Sequence, residues 1–122
     1  MTYIYSFEKL QVWNDARGLV KQVYTLTEQF PTTEKYGLVS QMRRAAVSVV
    51  SNIAEGSGRT SQKDQAHFYQ MAFSSLIELL NQFIIANDLN YISQNALMDI
   101  RSEIEKVSNK LNALRKSRFP NA

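Results

Sequence analysis

Few side chains in this sequence are of the kinds that do chemistry. There is one histidine, His67, and there are no cysteines. On a helical pattern His67 falls on the polar flank, turned away from Phe68 and Leu76. It therefore reads as a solvated surface residue rather than a base or a metal ligand. No His-Glu-x-x-His or Glu-x-x-His pair occurs, and without thiolates neither a zinc nor a di-iron centre is expected. Gly56-Ser57-Gly58 lacks a Walker lysine and follows a helix instead of a strand, so it does not read as a phosphate loop. It reads as a helix stop, with the glycines expected in the left-handed conformation. No catalytic residue, cofactor or metal is expected, and the chain reads as a protein other than an enzyme.

The remaining candidates are cations and a polar helix face. Fourteen Lys and Arg against eleven Asp and Glu leave a formal charge of +3, with a pI near 9.3. From Lys106 onward come Lys106, Lys110, Arg115, Lys116 and Arg118 with no acid among them. Such a tail suits phosphate; equally, it complements the negative end of a helix dipole. Arg43 and Arg44 point about 100° apart on a helix. Arg43 sits at the edge of an apolar stripe, where its stem packs and its head reaches water. Arg59 and Lys63 flank the start of the next helix and add to an anion site there. Arg44 belongs to a polar stripe with Gln41, Ser48, Ser51, Asn52 and Glu55, whose short side chains allow another helix or another chain to come close. Glu55, in the last turn of its helix, opposes the dipole and needs a cation. Arg59 nearby, or an arginine across a subunit interface, would serve. Arg44 of the same helix cannot, because their separation in sequence places them about 16 Å apart. Tyr3, Tyr5, Tyr36, Tyr69 and Tyr91 scatter near helix ends without interleaving with the cations, so no stacking groove for single strands is expected.

Four amphipathic helices must position these groups. The first is expected over about residues 8–30, ended by Pro31, and the second over 34–55, capped by Thr32 or Thr33. The third runs over 62–87 from Ser61-Gln62-Lys63-Asp64, which resembles a capping box. The fourth, over 94–116, opens at Ser93 or Gln94. Helix two carries Val39, Met42, Ala46, Val49, Val50 and Ile53 on one face. Helix four has a narrow heptad stripe of Leu97, Ile100, Ile104, Val107, Leu111 and Leu114. The three-and-four spacing throughout implies an all-α, antiparallel up-down four-helix bundle in a single domain, 1–122. Helix one has two apolar stripes spanning about 200°, where one core needs about 100°; Val12, Leu19 and Leu26 lie on its second stripe. Helix three is nearly as broad. That surplus predicts a homo-oligomer. Val12, Leu19, Leu26, Arg44, Ser48, Asn52 and Glu55 are the residues expected to form its interface or to fix the fold. No apolar run reaches the roughly 20 residues that span a bilayer. The N-terminus does not read as a secretory signal, so a cytoplasmic protein is expected.

Three stretches carry a family resemblance: FEKLQVWNDA at residues 7–16, LTEQFPTTEKYGL at 26–38 and RRAAVSVVSNIAEGSGR at 43–59. Together they resemble the small bacterial four-helix bundle proteins encoded in intervening sequences of 23S rRNA genes. That family is similar to the accessory protein of diversity-generating retroelements. The resemblance covers nearly the whole chain and is strongest from Phe7 to about Leu80. It implies a ring oligomer, with a pentamer the best single choice. It also implies a link to structured RNA or DNA, or a place beside a reverse transcriptase or another protein. On this reading the protein binds structured RNA non-catalytically through backbone phosphates, with Arg43, Arg44, Arg59, Lys63, Lys106, Lys110, Arg115 and Lys116 as candidate contacts. The alternative is a protein–protein scaffold or accessory subunit that touches no nucleic acid.

Overall fold

A computed structural model describes residues 2–118; Met1 and residues 119–122 of the expected domain lie outside them. Four helices make up most of the described chain: α1 (Gln11–Thr27), α2 (Leu38–Ser57), α3 (Gln62–Asp88) and α4 (Gln94–Lys116). Each packs on the next, α4 closes on α1, and the diagonal pairs stay apart across the core. This is the expected up-down bundle. The α2–α3 seam is the most extensive and the α1–α4 seam the least.

The core follows the expected stripes. Met42, Val49 and Ile53 of α2, Leu76, Leu79 and Phe83 of α3, and Ile104, Val107 and Leu111 of α4 are buried. Each large side chain removed from water contributes about 1.5–3 kcal/mol. Tyr69, expected near a helix end, is fully buried in the same core.

The helix ends differ from expectation where polar side chains choose another partner. At α1, Leu10 is extended (φ −75°, ψ 126°) and separates the helix from a 3₁₀ turn at Ser6–Lys9. The Asn14 amide holds that break by donating to the carbonyls of Glu8 and Leu10 at 3.3 and 3.1 Å. Phe7 lies edge-on to Trp13 at 5.0 Å, and the 3₁₀ turn packs on both α1 and α2. Part of the broad apolar arc of helix one is thus covered by the chain's own N-terminal segment. At α2, neither Thr32 nor Thr33 caps the helix; both lie in a short 3₁₀ turn, Thr32–Glu34. The Glu34 carboxylate does the work instead, accepting from the Leu38 N–H at 3.2 Å and from the Tyr91 hydroxyl at 2.9 Å. An acid there also meets the positive end of the α2 dipole. The ends of α3 and α4 match expectation more closely. Ser61 accepts from the Asp64 N–H at 3.0 Å and Ser93 from the Ala96 N–H at 3.1 Å.

Gly56 and Gly58 correct the expected glycine stop. No described glycine has positive φ, and Gly58 ends α2 at φ −90°. The left-handed stop lies at Asn90 (φ 64°), after α3, where the Tyr91 N–H returns to the Ala86 carbonyl at 2.9 Å. Gly56 is glycine for a different reason: it is buried inside α2 where α3 comes closest. A Cβ there would lie 2.7 Å from Tyr69 Cε1 and 3.0 Å from Phe68 Cβ. At Gly58 it would meet only the Glu55 carbonyl, at 3.7 Å.

Gly56→Ala is therefore expected to destabilise the fold by about 1–3 kcal/mol through overpacking. Gly58→Ala should be neutral or stabilising by up to about 1 kcal/mol. Urea denaturation of the two variants checks both, and equal effects would refute the packing account.

The tyrosines add an alkaline signature. The hydrogen bond that Tyr91 donates to Glu34 raises its pKa above the usual value of 10.0, with burial and the carboxylate charge adding to it. Burial raises that of Tyr69, opposed by the nearby charge of Arg118. The Tyr69 hydroxyl has no hydrogen-bond partner in the geometry, so Arg118 acts on it mainly through its charge. A raised folded pKa means stability that is intact below about pH 10 and lost as pH rises through the folded value. Stability should fall above pH 10. Tyr69→Phe should soften that fall and cost little at pH 7, because the hydroxyl it removes is unpaired; denaturation midpoints at pH 7 and pH 11 check this.

Candidate nucleic-acid interface

The up-down topology distributes the candidate cations over the bundle instead of gathering them. Arg43 and Arg44 lie in the second turn of α2, near the end of the bundle that holds the α1–α2 and α3–α4 connections. Arg59, Lys63, Arg115 and Lys116 lie at the opposite end, and Lys106 and Lys110 fall along α4 between them. Arg44 and the end of α2 are about 20 Å apart along the helix axis.

Most of the basic tail is engaged within the chain. Lys110 pairs with Asp15 across the α1–α4 seam, and both side chains are largely shielded from water. Arg115 donates to Gln70 and lies 5.6 Å from the Phe73 ring. Arg118 donates to Gln65 and lies 5.9 Å from the Tyr69 ring. Lys106 sits 4.0 Å from Glu103, an exposed pair of small worth. The guanidinium of Arg59 stacks on Phe68 at 4.2 Å, and Lys63 and Lys116 are exposed. The contacts of Lys110, Arg115 and Arg118 tie α4 and its C-terminal end to α1 and α3.

The residues expected to form an interface or to fix the fold fall into several settings. Val12 and Leu19 are 5% and 2% exposed, inside the chain's own core, and no neighbouring subunit can reach them there. Leu26 is half-buried beside the α1–α4 groove. Ser48 and Asn52 turn toward α3: the Ser48 hydroxyl lies 2.9 Å from that of Ser75, and the Asn52 amide donates to the Ser48 carbonyl and hydroxyl at 2.9 and 3.1 Å. Ser48 and Asn52 of the short polar stripe therefore lie at the α2–α3 seam within one chain, whereas Gln41, Arg44, Ser51 and Glu55 are exposed. Glu55 is exposed, and among the described residues it makes no ion pair with Arg59. The helix ends with that carboxylate solvated.

One cleft does bring cations together. It lies on the outer side of the α1–α2 seam, has a volume of about 510 Å³, and is lined by Tyr24, Lys35, Tyr36, Arg43, Arg44 and Val47 among others. No carboxylate lines it, because Glu34 is turned toward Tyr91 and the start of α2. Arg43 forms its floor. Its Nε donates to the buried Thr27 hydroxyl at 3.0 Å, its Nη2 to the Tyr24 carbonyl at 3.4 Å, and its guanidinium stacks on the Tyr24 ring at 4.4 Å. It thereby adds a donor to a carbonyl that the Glu28 N–H already reaches at 3.1 Å, and it ties α2 to the end of α1. Lys35 Nζ lies 5.4 Å from the centre of the Tyr36 ring. Arg44 is exposed and has no hydrogen-bond partner among the described residues. The tyrosines do interleave with cations here, contrary to the sequence reading. Tyr24, Lys35 and Tyr36 were missed because they come from α1 and from the turn before α2, which only the packing of the two helices brings together. The available signal was Ser40, Arg43, Arg44 and Val47 sharing one flank of α2, with Lys35-Tyr36 two turns before them.

Residues 8–113 match the family described as 23S rRNA-intervening sequence protein. The chain belongs to that family. No protein of curated function matches it. Its fold is similar to the crystal structure of a protein of unknown function from the S23 ribosomal protein family of Bacteroides thetaiotaomicron. That likeness has a TM-score of 0.80 at 17% identity, covering 86% of this chain and 95% of the other. For this 23S rRNA-intervening sequence protein, the α1–α2 cleft is the strongest candidate site. Among the described residues no three His, Cys, Asp or Glu side chains gather to hold a metal, and no helix is long and apolar enough to cross a membrane.

If the tail cations staple the bundle, removing one loses stability in a salt-dependent way. A double-mutant cycle of Lys110→Met and Asp15→Asn is expected to show a coupling of about 1 kcal/mol in low salt, shrinking at high salt. Zero coupling in urea denaturation would show that the pair does not hold α4 to α1.

Proposed function

We propose that this family member is a non-catalytic, cytoplasmic RNA-binding protein that holds structured RNA through its backbone phosphates as a ring oligomer, with a pentamer the best single choice. The observation that carries this reading is the α1–α2 cleft, where Lys35, Arg43 and Arg44 line one concave surface that has no acid. A cationic concavity raises the local concentration of polyanions. The name of the family, tied to 23S rRNA intervening sequences, supports the same reading. Among the earlier candidates, Lys110 and Arg115 have partners within the chain, and of the exposed Arg44, Lys63 and Lys116 only Arg44 lines this cleft.

Support for the ring comes from α3. Its outer side leaves Ile77 46%, Ile84 37% and Ile85 39% exposed, and a neighbouring copy would cover them. The surplus expected on helix one no longer contributes, since the chain covers much of it. The same isoleucines favour a second reading, in which the protein is a scaffold or accessory subunit, beside a reverse transcriptase or another protein, and binds no nucleic acid.

Binding of a structured RNA hairpin, titrated with salt, separates the two. Phosphate-driven binding weakens steeply as salt rises, with a log–log slope of about −0.7 to −0.9 per contact. Arg44→Glu and Lys35→Glu are each expected to weaken it about tenfold and to lower the slope by about one unit. Lys116→Glu, at the far end of the bundle, should change it far less. No binding at low salt would reject RNA binding and leave the scaffold.

A further inference from the structure

We infer that the α1–α2 cleft takes an unpaired nucleotide, with its base on the Tyr36 ring and its phosphate between Lys35 and Arg44. This inference rests on the polyanion reading of the same cleft and adds to it a preference for strands whose bases are open.

Tyr36 is 88% exposed, the most exposed of the large apolar side chains in the described chain. Lys35 Nζ, 5.4 Å from its ring centre, approaches it, yet the ring stays open to solvent while its backbone is held firmly. The residue before it, Lys35, donates its N–H to the Thr32 carbonyl at 3.2 Å, and Gly37 after it donates to the Glu34 carbonyl at 3.0 Å. Glu34 in turn is tied to Tyr91 and to the start of α2. The turn therefore presents an open ring from a fixed platform. Across the cleft Tyr24 is 42% exposed, and its ring carries the Arg43 guanidinium at 4.4 Å. Two aromatic rings and three cations around about 510 Å³ form a surface with π-faces and positive charge side by side.

Paired RNA offers such a surface only its phosphates, because its base faces are buried in the stack. An unpaired nucleotide offers both a phosphate and a base face, and base–aromatic stacking is the usual means of holding single strands. An acidic peptide would match the cations but would leave the Tyr36 ring without a stacking partner. The groove on the α1–α4 seam does not compete, since Asp99 and Glu103 line it beside Lys21 and repel phosphate.

The test compares an unstructured RNA of about ten nucleotides with a fully paired duplex of equal phosphate number and with polyglutamate, at one low salt concentration. The single strand is expected to bind about tenfold tighter than the duplex, and polyglutamate more weakly than either RNA. Tyr36→Ala should erase the single-strand preference without changing the salt slope, and Tyr36→Trp should keep it. The side chain is exposed, so an unchanged melting temperature confirms that the variants are folded. Equal binding of strand and duplex, polyglutamate binding as well as the strand, or a preference that survives Tyr36→Ala would overturn the stacking site while leaving phosphate binding standing. Failure of both RNAs to bind would overturn both.

Discussion

The bundle depends on how closely α2 and α3 approach. Gly56 leaves no room for even a methyl group against Tyr69, and higher on the same seam the hydroxyls of Ser48 and Ser75 meet at 2.9 Å. Small residues at both levels bring the two helices together along most of their length. Packed interiors tolerate little added volume, so this seam fixes where the opposite flank of α2 points. That flank carries Arg43 to the end of α1 and leaves Arg44 outside. The cleft between α1 and α2 is in this sense a consequence of small side chains on the far side of α2.

Charge follows the same logic of partners supplied by the fold. Within the segment from Lys106 onward no acid is available, and composition alone makes those cations look unpaired. The bundle supplies Asp15 to Lys110 from 95 positions away in sequence, and Gln70 and Gln65 to Arg115 and Arg118 from the neighbouring helix. The least extensive seam, between α4 and α1, thereby gains an ion pair at the level where the apolar stripe of α4 is narrow. At the other end Lys35 and Arg44 have no such partner among the described residues, and Glu34, next to Lys35 in sequence, serves the start of α2 and Tyr91. Two clusters of cations that look alike in sequence thus have opposite roles: one closes the fold and the other faces outward.

Legibility in the sequence tracks the range of the interactions involved. The serine caps of α3 and α4 and the core stripes of α2 and α4 depend on neighbours within a few positions, and periodicity reveals them. The break at Leu10 and the late start of α2 depend on Asn14 and Glu34 reaching outside their own turns, which a propensity argument does not see. Gly56 was visible as a glycine, but its reason lies in Tyr69 on another helix, so the local reading assigned it to a helix stop. The left-handed stop was there to be found in Asp88-Leu89-Asn90, since asparagine tolerates that conformation better than most residues. The polar stripe of Ser48 and Asn52 was legible as a surface built for close approach, but the approaching helix belongs to the same chain. Of the candidate site, Arg43 and Arg44 were legible and the tyrosines were not, because only the docking of α1 on α2 places Tyr24 beside them.

The exposed isoleucines of α3 and the cationic cleft occupy different sides of the molecule. The isoleucines left open on α3 lie on the helix diagonal to α1, whereas the cleft lies on the outer side of α1 and α2. A second copy docked on the α3 stripe would leave Tyr36 and Arg44 of that chain open to solvent, and they stay open in a ring whose complementary face also lies away from α1 and α2. In a closed ring every subunit would then present one identical cleft, and a strand engaging one would meet the next at a raised effective concentration. A weak grip on a single nucleotide, worth about 1–3 kcal/mol for each stacked base, becomes sufficient when it is repeated. Modest charge on one copy is no obstacle to a polyanion partner under that arrangement, because what matters is the number of open clefts a strand can span rather than the net +3 of a single chain.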